Sequence, residues 1–462
     1  MIRIHNSLAG RKEELKPITP GHVRMYVCGI TVYDLLHIGH ARMLIVFDMV
    51  RRYLQRRGLV VTFVQNITDI DDKIIARAFE NREPMQDLAE RYIRAMREDK
   101  AKLNVDSPDH EPRATQYLPA IISMITCLVE RGYAYKASNG DVMYAVSRFA
   151  GYGRLSGKRL EDLIAGARVD VVDAKRNPCD FVLWKTAKPD EPAWDSPWGA
   201  GRPGWHIECS AMSTALLGNH FDIHGGGVDL QFPHHENEIA QSCAATGAPF
   251  ANIWMHNGFV NVDDEKMAKS RGNFFTVREV LPKLRDPEVL RYFLLASHYR
   301  GPINYSLEQL RQADAALSRL YSALRDLPLV GPVEPGPHTL RFEEAMDDDF
   351  GTPEAVAVLQ RLSREINSAR NAGEIGRAAR LGAELRSLAS VLGVAQLEPE
   401  EWFRSGSRSH IADSGVVSLI DARNSARRAK NWPEADRIRA QLVAAGVILE
   451  DKVGGGTTWR RI

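Results

Sequence analysis

Long hydrophobic runs are missing from this 462-residue sequence: no apolar stretch approaches the roughly 18 residues that a membrane helix needs. A secretory leader is missing too, since the first residues alternate charge and apolarity. Cysteine is scarce. Five residues, scattered and odd in number, argue against a disulfide framework and for a reducing, cytoplasmic setting. Excess charge is absent as well: 60 Lys and Arg against 59 Asp and Glu leave a formal +1, so no global basic field advertises a polyanion partner. What remains is ordinary for a soluble globular protein, with 44% hydrophobic and 26% charged residues. The length suggests about three domains.

The charge that exists is unevenly placed. From Ser405 onward ten Lys and Arg face six Asp and Glu, while the rest of the chain carries 50 against 53. A basic tail on a near-neutral body fits contact with a polyanion, and equally a solvated helix face.

Local order is clearest between Met25 and Arg42. A short strand over Met25 to Cys28 breaks at Gly29 and leads into a helix whose first turn carries His37, Gly39 and His40. Leu44, Phe47, Val50 and Leu54 continue the helical spacing, Gly58 ends it, and Val60 to Val64 reads as a second buried strand. Strand, helix, strand predicts a parallel sheet of the nucleotide-binding kind. His37 and His40 share one face at a helix N-terminus, where free N–H groups and the dipole favour phosphate. Thr68-Asp69-Ile70-Asp71-Asp72 follows the second strand, where open parallel sheets bind ligands; its carboxylates fit a divalent-metal site or, more simply, a helix cap.

The expected fold class is α/β. A Rossmann-type parallel-sheet catalytic domain in two halves (1–80 and 200–258) is interrupted by an inserted connective region (81–199). A lysine loop and stem-contact region (259–300), an α-helical bundle (301–395) and a small basic C-terminal α+β module (405–462) follow. In the second half Phe221 to His224 reads as a strand. Gly225-Gly226-Gly227 lets backbone approach a ligand, Asp229 is placed to bond a ribose, and His234 to Ala245 is helical. The tryptophans at 184, 194, 198 and 205 read as core or rigid loop wall. The glycine-rich end, Gly454 to Arg461, reads as a flexible arm.

Two clusters carry chemistry. Cys28, Cys209, His234 and Glu238 would make a Cys2HisGlu set suited to zinc. The ligands come from three segments, His235 is also three residues from Glu238, and the cysteines would serve equally as buried thiols. Lys266-Met267-Ala268-Lys269-Ser270, with Gly272 as a hinge, places two lysines where they could close over phosphates.

Seven motifs occur in one order: Cys28 to Asp34, His37-Ile38-Gly39-His40, Thr68 to Asp72, Gly204 to Ser210, His224 to Leu230, Phe232 to Glu238, and Lys266 to Ser270. Together they resemble the cysteinyl-tRNA synthetases, a class I aminoacyl-tRNA synthetase family, along essentially the whole chain. Ala268 departs from the usual middle serine of the lysine signature. The resemblance implies one zinc held by Cys28, Cys209, His234 and Glu238 and a cysteine pocket lined by Gly29, Thr31, Thr68 and Trp205; four protein ligands already fill a tetrahedron, so cysteine must add a fifth bond or loosen one, with Glu238 the candidate. It implies catalytic roles for His37, His40, Lys266 and Lys269, and an ATP site built from His37, Gly39, His40, Gly227, Asp229 and Lys269, with Mg2+ assisting. Arg427, Asp436 and Asp451 would lie near the tRNA anticodon. The implied partners are L-cysteine, ATP and tRNA(Cys), with no membrane, no editing domain, no protein nucleophile and a monomeric enzyme. A related ligase that joins activated cysteine to an aminosugar in mycothiol synthesis lacks the C-terminal module, which argues against it here. A non-catalytic synthetase-like RNA-binding protein would have lost signature residues that this chain keeps.

Overall fold

A computed structural model describes residues 1–158, 175–189, 191–262, 265–266, 273–405, 413–451 and 457–461. The chain divides into two compact units. The first comprises Met1–Gly272, His298–Ile303 and Glu344–Gly351; the second comprises Asn273–Ser297, Asn304–Glu343 and Thr352–Ile462.

The first unit is built on four parallel strands: β1 (His22–Thr31), β2 (Val60–Thr68), β3 (Phe221–Gly227) and β4 (Ala251–Asn257). Their order across the sheet is β4-β3-β1-β2, so the two halves of the expected nucleotide fold meet at the β1–β3 pairing. Tyr26, His224 and Trp254 fall in one register row. β1 and β2 read as near-continuous apolar runs because helices cover parallel sheets on both faces. β1 runs through Gly29 rather than stopping there, but its pairing with β2 slips between Val27 and Ile30. Such irregularities re-aim side chains near functional sites, and here Cys28 lies inside the slip.

Helix α1 (Ile38–Arg56) joins β1 to β2. Leu44, Phe47, Val50 and Leu54 are all buried, as their spacing requires. Gly58 at φ +78° turns the chain out of the helix and into β2. Between β2 and the return to the parallel sheet lie α2 (Asp72–Asn81), α3 (Met85–Lys102) and α4 (Leu118–Glu130), then a four-stranded antiparallel sheet from Ala134–Lys136, Val142–Tyr144, Phe181–Thr186 and Gly201–Pro203. Trp184 is core there, packed with Ile121, Ile125 and Leu128 of α4. Two further helices return to the parallel sheet, α5 (Trp205–Leu217) and α6 (Glu236–Thr246).

In the second unit α7 (Glu288–Leu295), α8 (Leu307–Leu324), α9 (Thr352–Asn371) and α10 (Ile375–Leu392) form a helical bundle that begins before the expected residue 301. Glu288 sits buried in it and accepts from Tyr321 Oη at 2.7 Å and from the Gln396 N–H at 3.1 Å. Burial pushes its carboxyl up to about 7 from an ordinary 4.5, against the opposing pull of those hydrogen bonds. Between these values the folded unit keeps a proton that the unfolded chain has released. Its stability therefore falls as pH rises from about 4.5 to 7, by up to about 3 kcal/mol, and levels off above that. Glu288→Gln mimics the protonated acid. It should remove most of that slope in urea midpoints measured between pH 5 and 8; an unchanged slope would assign the pH dependence elsewhere.

The C-terminal module has its own core. Helices α11 (Asp413–Arg428) and α12 (Trp432–Ala444) pack against a hairpin of β5 (Val447–Asp451) and β6 (Thr457–Arg461), burying Val416, Ile438, Leu442, Leu449 and Trp459 together. The expected flexible arm is corrected here: Thr457–Arg461 is a paired strand whose β-branched and aromatic residues suit it to the sheet. The glycines before it, 454–456, lie outside the described residues.

Candidate metal centre and nucleotide-binding turn

Three chain segments bring four donors together. Cys28 comes from the slipped stretch of β1, Cys209 from the second turn of α5, and His234 and Glu238 from the turn entering α6 and from α6 itself. All four are buried, and their ligand atoms lie within 4.8 Å of one another. Cys28 Sγ is 3.7 Å from Cys209 Sγ and 3.4 Å from Glu238 Oε1, and His234 Nε2 is 3.1 Å from the same oxygen. Zinc bonds of about 2.0–2.3 Å at tetrahedral angles put ligand atoms about 3.3–3.8 Å apart, so these three separations are close to the required spacing.

Spacing along the chain left His234 and His235 open. Cys28, His224, His235 and Glu238 form a second set with the same closeness. Reach and donor type separate the two sets, since each histidine has its other ring nitrogen engaged. His235 Nδ1 meets His256 Nε2 at 2.8 Å, but His235 Nε2 is 3.9 Å from Glu238 against 3.1 Å for His234 Nε2. His224 Nε2 bonds the other carboxylate oxygen, Glu238 Oε2, at 2.9 Å, and so orients Glu238 as an outer partner. His234 turns its second nitrogen to His206 Nδ1 at 2.9 Å. The set with two thiols also offers zinc the softer donors. His224, His206 and Asn66 are supporting residues that sequence reasoning gave no role.

Burial opposes charge throughout this cluster. At His234 it is outweighed by Glu238 and Cys209, which lift the imidazole to about 10. At Glu238 it is outweighed by His224 and His234, which hold the carboxyl well below its usual range. Cys209 is raised by burial but brought down to about 6 by the Cys28 hydrogen bond and by His234. Burial prevails at Cys28, whose thiol is pushed well up, and at His206, lowered to about 3 with His234 adding to the effect. The donors present fit a divalent cation.

Three of the residues expected to line a cysteine pocket, Gly29, Thr68 and Trp205, contact this cluster or residues beside it. Gly29 donates its N–H to Asn66 Oδ1 at 2.8 Å, and the same oxygen lies 3.7 Å from Cys209 Sγ. Thr31 and Thr68 face each other at the ends of β1 and β2. Thr68 Oγ1 donates to the buried Glu208 at 3.2 Å. Trp205, still 39% exposed, lays its ring 4.4 Å from that of His234.

The turn carrying His37 and His40 opens α1. His37 caps α1, its Nδ1 accepting the His40 N–H at 3.2 Å, and the two rings stack at 3.5 Å. Gly39 follows in the first turn of the helix. Gly227 ends β3, and a Cβ there would stand 2.5 Å from Asp229 Oδ1. The other two glycines are corrected: Gly225 and Gly226 are bare because a Cβ would meet the Phe47 ring at 2.3 Å and His235 at 2.9 Å, so they admit protein side chains rather than a ligand. The carboxylates after β2 resolve as structure. Asp71 caps α2 through the Lys73 N–H, Asp72 pairs with Lys185 and Arg202, and Asp69 holds Thr115. The backbone of Lys266 pairs with Asn261 in a short antiparallel ladder. Lys269, with the stretch 267–272, lies outside the described residues. In the C-terminal module Arg427 and Arg423 both pair with Asp451, whose carboxyl they hold below its usual range, and Asp436 is exposed.

Comparison with known proteins matches this architecture. The model for the class I (C) tRNA synthetase catalytic domain covers residues 14–315, that for the DALR domain covers 341–396, and that for the cysteinyl-tRNA ligase anticodon-binding domain covers 412–460. The cysteine--tRNA ligases of Methylococcus capsulatus and Alkalilimnicola ehrlichii are each 61% identical to the chain over the full length of both proteins. The chain belongs to this family, the cysteine--tRNA ligases. The enzyme of that name from Pseudomonas aeruginosa is 57% identical across 100% of this chain and 99% of its own. Among solved structures, Mycobacterium tuberculosis methionyl-tRNA synthetase shares the fold, with a TM-score of 0.56 and 16% identity over 80% of this chain and 89% of that one. No helix among the described residues is long and apolar enough to cross a membrane.

Proposed function

We propose that this chain joins L-cysteine to tRNA(Cys) at the expense of ATP, through a cysteinyl-adenylate, and that the buried Cys2HisGlu cluster selects the amino acid by its sulfur. Full-length identity of 57–61% to cysteine--tRNA ligases carries the reading, and the spacing of the four donors supports its metal part.

Cys28, Cys209, His234 and Glu238 would hold zinc, which supplies a soft partner for a substrate thiolate that a serine hydroxyl cannot match. That difference matters because a cavity alone separates near-isosteres only about 10–200-fold. Gly29, Thr31, Thr68 and Trp205 would orient the amino acid beside the cluster. His37, Gly39 and His40 at the start of α1, with Gly227 and Asp229, would receive ATP and its Mg2+, while Lys266 and Lys269 neutralise the phosphates. The substrate carboxylate attacks the α-phosphorus and pyrophosphate leaves. The protein contributes positioning and charge, with no nucleophile of its own. Arg427, Asp436 and Asp451 are assigned to the tRNA end, although the Arg427–Asp451 pair must be shared or opened for both groups to reach RNA. The enzyme is read as a cytoplasmic monomer.

Purified protein should carry about one zinc per chain and exchange pyrophosphate into ATP with cysteine but not serine. It should then charge tRNA(Cys) and ignore an aminosugar acceptor. Exchange that proceeds without cysteine, or an aminosugar product, would overturn the assignment.

A further inference from the structure

Arg42 follows the histidine turn by two residues, and its side chain is fully buried. Among the described residues no carboxylate pairs with it. Its guanidinium donates instead to three backbone carbonyls: Phe259 at 2.7 Å, His298 at 3.2 Å and Gly301 at 2.6 Å. Burial alone brings its pKa down to about 10, so the side chain stays charged at neutral pH. A buried cation held only by carbonyl dipoles, with its Nε left unpartnered, is an expensive way to fill space, and an apolar side chain would pack there at less cost. What the fork provides is direction: three acceptors from two separate segments are held by one side chain.

Those segments meet at the root of the lysine-bearing strands. Phe259 leads into Val260–Val262, which pairs with Glu265–Lys266. The Phe259 carbonyl also accepts from the Ile303 N–H, and the Gly258 N–H donates to the Tyr299 carbonyl. Gly258 must be bare for this junction to close, since a Cβ would stand 2.4 Å from the Gly301 oxygen and 2.6 Å from the Arg300 oxygen.

We propose that Arg42 is a positioning residue for amino-acid activation, tying the helix that presents His37 and His40 to the root of the strands that carry Lys266. The inference rests on the ligase reading above. It assigns Arg42 to the first half-reaction, in which histidines and lysines act on one triphosphate, and leaves the transfer of cysteine to tRNA largely independent of it.

The test separates the two steps. Arg42→Gln should lower the rate of cysteine-dependent pyrophosphate exchange about 100-fold, the scale expected when reacting groups shift by an ångström. The KM for cysteine should stay within about twofold of wild type, because the change falls on the transition state rather than on the amino-acid pocket. Zinc content should not change. With adenylate first accumulated on the enzyme, transfer to tRNA in a single turnover should proceed at near the wild-type rate. Arg42→Lys, which keeps the charge but reaches fewer carbonyls, should fall between. Gly258→Ala disturbs the same junction from the opposite side and should reproduce the split, so the proposal survives a poorly folding Arg42→Gln protein. Leu128→Ala, a core change in the insertion, controls for lost stability and should show no split. Exchange and transfer falling together in all three junction variants, or neither falling, would overturn the proposal. A wild-type protein without cysteine-dependent exchange would instead overturn the ligase reading.

Discussion

Cys28→Ser is expected to lose bound metal and cysteine activation together. The serine hydroxyl has nearly the size of the thiol but stays protonated and is a harder donor, so one corner of the tetrahedron is lost. Cys28 Sγ stands within 3.7 Å of Cys209 Sγ and 3.4 Å of Glu238 Oε1, so the remaining donors surround a gap rather than a compact cage. Losing even an outer partner of a metal ligand costs 10–100-fold, and loss of a ligand should exceed about 100-fold in cysteine-dependent exchange. Zinc per chain should drop in the same preparation. Cys127, half-buried and outside the cluster, supplies the control: Cys127→Ser should leave both quantities near wild type. Retained activity with an unaltered preference for cysteine over serine would remove the metal from the account of selectivity.

The second large effect is steric. A Cβ on Gly29 would lie 1.6 Å from the Asn66 carbonyl oxygen and 2.7 Å from its carbon. Both are backbone atoms of the neighbouring strand, so no side-chain rotation relieves the clash, and β1 and β2 must part where their pairing already slips. Asn66 would move with its strand, and Asn66 Oδ1 is the group that touches both the Gly29 N–H and Cys209 Sγ. Gly29→Ala should therefore cost stability and amino-acid activation at once. A lower melting temperature and a drop in exchange of about 100-fold or more are the expected results. Gly331→Ala is the matched control, because a Cβ there meets nothing within 4 Å. A Gly29→Ala protein that melts and exchanges like wild type would show that the strands tolerate the separation.

Local pattern made the scaffold readable from sequence. The apolar spacing of α1, the glycine that ends it and the two apolar strands are each properties of a short window. The histidine-bearing turn was readable for the same reason. The supporting residues were not. His224 lies on an interior strand and His206 on a helix turn, and neither has a spacing that announces contact with Glu238 or His234. They are neighbours only because the β1–β3 pairing and α5 bring distant segments together. Arg42 was hidden by its type, since an arginine in a helix reads as solvated and only the fold shows it enclosed by carbonyls. Gly225 and Gly226 misled in the opposite direction. Bare backbone signals close approach but does not name what approaches, and at Gly225 it is Phe47. The final strand was masked by the glycines before it.

That final strand changes what the last codons mean. Trp459 plugs a small core shared with Val416, Ile438 and Leu442, residues that lie 17 to 43 positions upstream of it. A reading frame cut short by half a dozen triplets would not trim a loose end. It would pull the stopper from a miniature domain, and both of the helices that bear Arg427 and Asp436 would lose the surface they fold against.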